Sequence, residues 1–162
     1  MKVAVLSDSH DNLKAIREFV KQVNDEGVEL VIHCGDFVSP FAVKELLNGL
    51  KCDFFAVFGN NDGEVAGLLK VSGGLIEKPP VLKEVNGLKT AVMHEPLFVE
   101  SLARSNDFDL ILYGHTHQLR VDRVEGTLIV NPGELCGYLT GKGTFVILDT
   151  AQLTVEVREV AV

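Results

Sequence analysis

The sequence predicts an α/β protein in which two β-sheets pack face to face with helices on their outer sides. Three observations predict it. The first half of the chain alternates short, β-branched apolar runs with segments of helical periodicity, the mark of parallel strands joined by crossover helices. The second half replaces most helices with tight two-residue turns, which mark antiparallel hairpins. Polar residues able to do chemistry gather just after the apolar runs, at the carboxyl ends of strands, where open α/β sheets hold their ligands.

Taken in order, Lys2 to Ser7 reads as a buried strand, and Asp11 or Asn12 can cap the helix that follows. Leu13, Ile16, Phe19 with Val20, and Val23 recur at helical spacing and form one apolar stripe, which Gly27 can end. Glu29 to His33 is a second strand. Pro40 opens a short helix through Leu47, stopped near Asn48-Gly49. Asp53 to Phe58 is a third strand, and Val65, Leu68, Leu69 and Val71 allow a short helix that Gly73-Gly74 breaks. Val81 to Val85 and Leu88 to Met93 flank Asn86-Gly87, a strong hairpin signal. A short helix covers Leu97 to Arg104, and Leu110 to Tyr113 is a strand. Leu119 to Val124 and Thr127 to Val130 flank Glu125-Gly126 as a second hairpin, after which Asn131-Pro132-Gly133 reads as a turn. Gly143 to Leu148 and Leu153 to Val160 are the last strands, with Val155, Val157 and Glu159 alternating with outward polar neighbours.

The chain of 162 residues is long enough for a real core and suggests one domain, and its 46% hydrophobic content argues against disorder. The net charge of −8 and pI near 5.1 argue against a nucleic-acid binder that works through a broad basic surface. They do not exclude a metal enzyme acting on phosphates, because bound cations would add local positive charge. Cys34, Cys52 and Cys136 form no C-x-x-C pair, which favours reduced thiols in a cytoplasmic protein. Cys34 and Cys52 read as small buried apolar residues, and Cys136 as a packing residue near the pocket. The apolar run after Met1-Lys2 is too short for a signal peptide, and no run approaches membrane-spanning length.

The strongest functional signal is Gly114-His115-Thr116-His117 after the strand at Leu110 to Tyr113. Two histidines two apart on an extended chain point to the same side. The stretch is matched upstream by Asp8-Ser9-His10, Gly35-Asp36, Gly59-Asn60-Asn61-Asp62 and His94, each after an apolar run. These five strand ends are expected to converge on one metal centre. Asp and His without thiolates suit divalent metals of intermediate hardness, such as manganese, iron, nickel or zinc. The candidates Asp8, His10, Asp36, Asn60, His94, His115 and His117 are too many for one four-coordinate ion and suit two ions sharing a carboxylate. Such a pair would attract a phosphate and lower the pKa of a bridging water toward roughly 7. His33, before Asp36, reads as a hydrogen-bonded structural residue. Asp62 is expected either to orient Asn61 or to fix the turn, Gly59 and Gly114 to permit tight turns, and Arg104, Arg120 and Arg123 to be solvated.

Asp8-x-His10, Gly35-Asp36, Gly59-Asn60-x-Asp62, His94 and Gly114-His115-x-His117, in this order, resemble the calcineurin-like metallophosphoesterase superfamily. The short chain and Asn131-Pro132-Gly133 resemble its small YfcE-like phosphodiesterase branch. The resemblance implies a four-layer α-β-β-α sandwich of two mixed sheets flanked by helices. It implies Asp8, His10, Asp36 and His117 on one ion, and Asp36, Asn60, His94 and His115 on the other, with Asp36 bridging. It also implies a metal-bridging hydroxide as nucleophile, a small phosphate-ester substrate, manganese as the leading metal, and a homo-oligomer as one of the states to expect.

Two departures from the family pattern matter. Larger members carry a histidine where this chain has Asn61, which can donate a hydrogen bond to a phosphate oxygen but is no useful general acid near neutral pH. This favours activated phosphodiesters over esters with poor leaving groups. Glu95-Pro96 stands where relatives often have Gly-His, adding negative charge and stiffness beside the pocket. Asn61, Asp36 and His94 are therefore the residues expected to carry catalysis. The competing functions are a phosphomonoesterase on the same centre, a nuclease, and a non-catalytic scaffold of the retromer-subunit type. The nuclease would need a basic surface that this composition lacks, and the scaffold would need an incomplete ligand set.

Overall fold

The computed structural model describes Met1–Val162. Its elements run β1 (Lys2–Leu6), α1 (Leu13–Asp25), β2 (Leu30–His33), α2 (Pro40–Gly49), β3 (Asp53–Val57), α3 (Val65–Ser72) and β4 (Ile76–Glu77). They continue with β5 (Val81–Val85), β6 (Leu88–Val92), α4 (Val99–Arg104), β7 (Leu110–Leu112), β8 (Leu119–Val124), β9 (Thr127–Pro132), β10 (Gly143–Asp149) and β11 (Thr154–Val160). A six-stranded sheet has the order β11-β10-β1-β2-β3-β4, and a five-stranded sheet the order β5-β6-β7-β9-β8.

Strand alternation builds the layers directly. On β1, Ala4 and Leu6 face Phe19, Val23, Val43 and Leu46 of α1 and α2. Val3 and Val5 face the other way and meet Leu112, Val130 and Val92 of the second sheet. On the far side of that sheet, Ala91, Ile111 and Ile129 pack against Val99 and Ala103 of α4. The result is helix, sheet, sheet, helix, the four-layer α-β-β-α sandwich. Local sequence chemistry sets the ends. Asn12 Oδ1 accepts from the Ala15 amide at 3.2 Å and starts α1, while Gly73, in the left-handed region, ends α3.

Several sequence expectations change. The first sheet is parallel from β1 to β4, but β10 runs antiparallel to β1, so the end of the chain completes the sheet begun by its start. In the second sheet the hairpins β5–β6 and β8–β9 are antiparallel, yet β6–β7 and β7–β9 are parallel, so the second half is mixed. Asn131 and Pro132 belong to β9 and are no turn; the change of direction comes at Gly133 (φ 78°). Pro132 is tolerated because β7 pairs only as far as Val130, so no ladder bond from its missing N–H is needed on that side. The two-residue β4 has no readable period. Cys52 is half-buried, and Val157 is exposed on the edge strand β11.

Candidate metal centre

Three parallel neighbours, β1, β2 and β3, deliver Asp8 and His10, Asp36, and Asn60 from their carboxyl ends. β6 and β7 deliver His94, and His115 with His117, from the second sheet. The loops are tied to one another by main-chain bonds: Asp8 N donates to Gly35 O (3.0 Å), His10 N to Asp36 O (3.1 Å), and Gly114 N to His94 O (3.0 Å). All seven expected ligand residues therefore meet in one place. Asp8, Asp36 and His94 are buried, His10 and His117 half-buried, and Asn60 and His115 exposed, so the cluster opens to solvent on the Asn60 side.

Asp36 lies at the middle. Its Oδ2 is 3.5 Å from His10 Nε2 and 3.4 Å from His94 Nε2. Asp8 Oδ1 is 3.2 Å from His117 Nε2 and 3.6 Å from His10 Nε2. Asn60 Oδ1 is 2.8 Å from His94 Nε2 and 2.9 Å from His115 Nδ1. The neighbours fix which ring nitrogens carry protons. His94 Nδ1–H donates to the Cys34 carbonyl at 2.7 Å, which leaves Nε2 of the neutral ring as an acceptor. His117 Nδ1–H donates to Glu134 Oε2 at 2.5 Å, with the same consequence for its Nε2. Neutral imidazole nitrogens thus face carboxylate and amide oxygens at contact distance, acceptor against acceptor. That arrangement calls for a shared cation, either a proton or a metal ion. Asp8 Oδ1 and His10 Nε2 are buried and have no hydrogen-bond partner in the protein. Asp8, His10 and His117, and separately Asp8, Asp36 and His94, form clusters whose ligand atoms lie within 4.8 Å of one another. The donor set fits divalent ions.

The titration behaviour follows from the same contacts. The adjacent Asp8 carboxylate outweighs burial at His10, and its pKa lies above the usual imidazole value. Burial works against the charged form of His94, but the Asp36 carboxylate more than offsets it and raises the pKa. Burial also opposes the Asp36 anion, yet His94 and two bonds from Asn61 hold its pKa well below the usual carboxylate range.

Backbone strain concentrates here as well. Asp8, His10, Asp36, His115 and His117 all have positive φ, between 38° and 66°. Each such residue costs about 1–3 kcal/mol, a cost that persists where the surroundings over-determine the geometry, as at functional sites. Asp and His tolerate this region better than most residues. Gly59 and Gly114 serve close approach and not the tight turns expected. Neither has positive φ, but a Cβ at Gly59 would sit 2.1 Å from Asp36 Oδ1, and one at Gly114 would sit 1.9 Å from Ser7 Oγ.

His33 is structural, as expected, between Ser9 Oγ (2.9 Å) and the Gly35 amide (3.1 Å). Asp62 fixes the turn: it accepts from the amides of Asp36, Phe37, Val38 and Gly59. Asn61 is exposed and donates one side-chain N–H to Asp36 Oδ2 at 2.7 Å, which leaves its second N–H to offer to another acceptor. Arg120 is not freely solvated; it pairs with Glu100 and Asp122. Glu134 was missed by sequence reasoning. It is 1% exposed, and besides His117 it accepts from Leu139 N, Thr140 N and Thr140 Oγ1. Cys136 Sγ is buried and donates to Glu134 at 3.4 Å. The one sequence signal for Glu134 was a charge set between the turn and the apolar Leu135-Cys136.

No helix is long and apolar enough to cross a membrane. Comparison with known proteins agrees with the fold. The chain is 42% identical over 166 residues to phosphodiesterase MJ0936 of Methanocaldococcus jannaschii, covering 99% of this chain and 98% of that protein. It is 30% identical over 149 residues to phosphodiesterase YfcE of Escherichia coli K12, covering 83% and 79% of the two chains. A solved structure of an archaeal phosphodiesterase superposes with a TM-score of 0.91 at 39% identity, over 99% of this chain and 100% of that one. The calcineurin-like phosphoesterase superfamily domain matches residues 1–153, and the chain belongs to that superfamily, alongside small members such as YfcE.

Proposed function

We propose that this chain is a metal-dependent phosphodiesterase with two divalent ions, manganese foremost and nickel, iron or zinc as substitutes. One observation carries the reading: Asp36 Oδ2 stands between His10 Nε2 and His94 Nε2, at 3.5 and 3.4 Å, among ring nitrogens and oxygens that need a cation between them. Asp8, His10, Asp36 and His117 would hold one ion, and Asp36, Asn60, His94 and His115 the other. The names of the relatives at 42% and 30% identity support a diester as substrate. When bound, the ions would supply a water of lowered pKa and a positive field for the phosphoryl oxygens.

The protein's own residues set the geometry. Glu134 and the Cys34 carbonyl hold the His117 and His94 rings with Nε2 turned inward. Asn61 steadies Asp36 through its main-chain and side-chain amides at 2.8 and 2.7 Å, and the second N–H of its side chain would be able to donate to a phosphate oxygen. No histidine stands at position 61 to protonate the leaving oxygen, so activated diesters are the better substrates.

The test is hydrolysis of bis-p-nitrophenyl phosphate by metal-stripped protein with manganese added back. p-Nitrophenyl phosphate runs in parallel and Asp36→Asn serves as the control. Metal-dependent turnover of the diester, lost in Asp36→Asn, is the expected result. Preference for the monoester would make the chain a phosphomonoesterase. No turnover with manganese, nickel, iron or zinc, despite counted metal, would favour a scaffold of the retromer-subunit type.

A further inference from the structure

A cavity of about 660 Å³ opens beside the centre, with His94 and Asn60 in its wall. Phe58, Met93, Leu97, Phe98 and Leu102 line it, and Lys78 to Pro80 form another side. Its volume lies within the range that holds a drug-sized ligand and far exceeds what a phosphate group needs. Lys78 and Glu95 are the only lining residues with a fixed charge, so a second phosphate or a polyanionic chain would find little to hold it.

Phe98 marks the cavity as built for contact. Its side chain is 78% exposed, and Leu97 beside it is 55% exposed, so neither belongs to the core. Phe98 also sits at φ 55°, a strained conformation for a bulky residue, and it offers no side-chain cap to α4. Folding gains nothing evident from an aromatic ring held there. A substrate ring seated in the cavity would gain a stacking partner.

We propose that the substrate is a phosphate ester with a planar, apolar substituent, aryl in character, which fills this cavity while its phosphoryl group lies at the metal centre. This rests on the phosphoesterase reading above and names the substituent that reading left open. His94 and Asn60 join the two halves, because they face the metal centre and line the cavity at once. Leu97 and Phe98 are then specificity-determining residues that touch the substituent and no metal.

The test uses two ligands that cannot be hydrolysed, phenylphosphonate and methylphosphonate. Each is titrated calorimetrically into the manganese-loaded protein, with the metal counted before and after. Burial of the ring should make phenylphosphonate tighter by roughly tenfold or more. In a Leu97→Ala, Phe98→Ala double variant the two affinities should converge while metal content stays unchanged. Both side chains are exposed, so the variant should keep its fold. Equal affinities in the wild type, or a preference that survives the double variant, would overturn the cavity assignment and leave the phosphoesterase reading standing. Binding of neither phosphonate to metal-loaded protein would overturn both.

Discussion

Glu134 shows how much of this candidate centre is built by residues outside the proposed ligand set. Both of its oxygens are engaged, one with Leu139 and Thr140, the other with His117 and Cys136. Its effect on a metal therefore passes through the His117 ring. Such outer partners are typically worth about 10–100-fold in metal affinity, and Glu134→Gln should weaken manganese binding by that order. Titration of the stripped variant with manganese checks this, and unchanged affinity would rule the positioning role out. Burial opposes the Glu134 anion, but His117, Thr140 and Cys136 hold its pKa down to about 2. With the folded pKa below the unfolded one, the stabilisation is present above the usual carboxylate value and disappears as pH falls through about 2.

His10 and His94 give the opposite sign. Their folded pKa values are raised, so their protonation stabilises the metal-free protein fully below the ordinary imidazole pKa of about 6.5, and that contribution is lost as pH rises through the raised values. Metal needs the neutral rings, so protons compete with it. Manganese half-saturation should fall to lower concentration between about pH 6 and pH 8. A flat dependence across that interval would contradict the Asp8–His10 and Asp36–His94 contacts.

At the scale of elements, the centre depends on backbone brought close to carboxylate. Gly59, just after β3, leaves room for Asp36, and no side chain can share that space. Overpacking of this kind costs typically about 1–3 kcal/mol, which at about 2–4 °C per kcal/mol for a domain of this size predicts a clear fall in melting temperature for Gly59→Ala. Gly63→Ala is the control, because a Cβ there meets nothing within 4 Å. Thermal melts of the metal-free forms separate the two. The elements themselves were largely legible. β1, β2 and β3 and the two hairpins announced themselves by apolar runs and turn residues, and Asn12 by its capping chemistry. β4 was not legible, since two residues carry no period, and Pro132 disguised the end of β9 as a turn. The candidate ligands could be read because each follows shortly after an apolar run, in short polar stretches such as Asp8-Ser9-His10 and His115-Thr116-His117. Glu134 could not, because its partner His117 is 17 residues away and only the fold brings them together.

For the whole molecule, the two sheets act as one clamp: three strand ends with proposed ligand residues come from one sheet and two from the other. Ligand that binds only the folded state stabilises it by about 2.7 kcal/mol at one hundred times its dissociation constant. Manganese should therefore raise the melting temperature by roughly 5–10 °C at that excess. Asp36→Asn should abolish the shift; a metal-induced shift that survives it would place the ion elsewhere. What the sequence could not convey at this scale was pairing between distant segments. Local patterning names a strand but not its neighbour, so the parallel β6–β7–β9 order and the return of β10 to β1 came only with the structure.

That return has a consequence for synthesis. Lys2 lies opposite Asp149, so β1 waits through the synthesis of eight later strands before β10 covers its outer edge. Asp8 and His10 hang from that strand, and Leu135 and Cys136, which bond to the Ser7 and Asp8 carbonyls, are also late arrivals. A nascent chain arrested before Gly143 holds all seven proposed ligand residues without the β10 strand that completes the frame around them. Such an arrested chain should bind manganese weakly, and the ion should enter only once β10 has paired with β1.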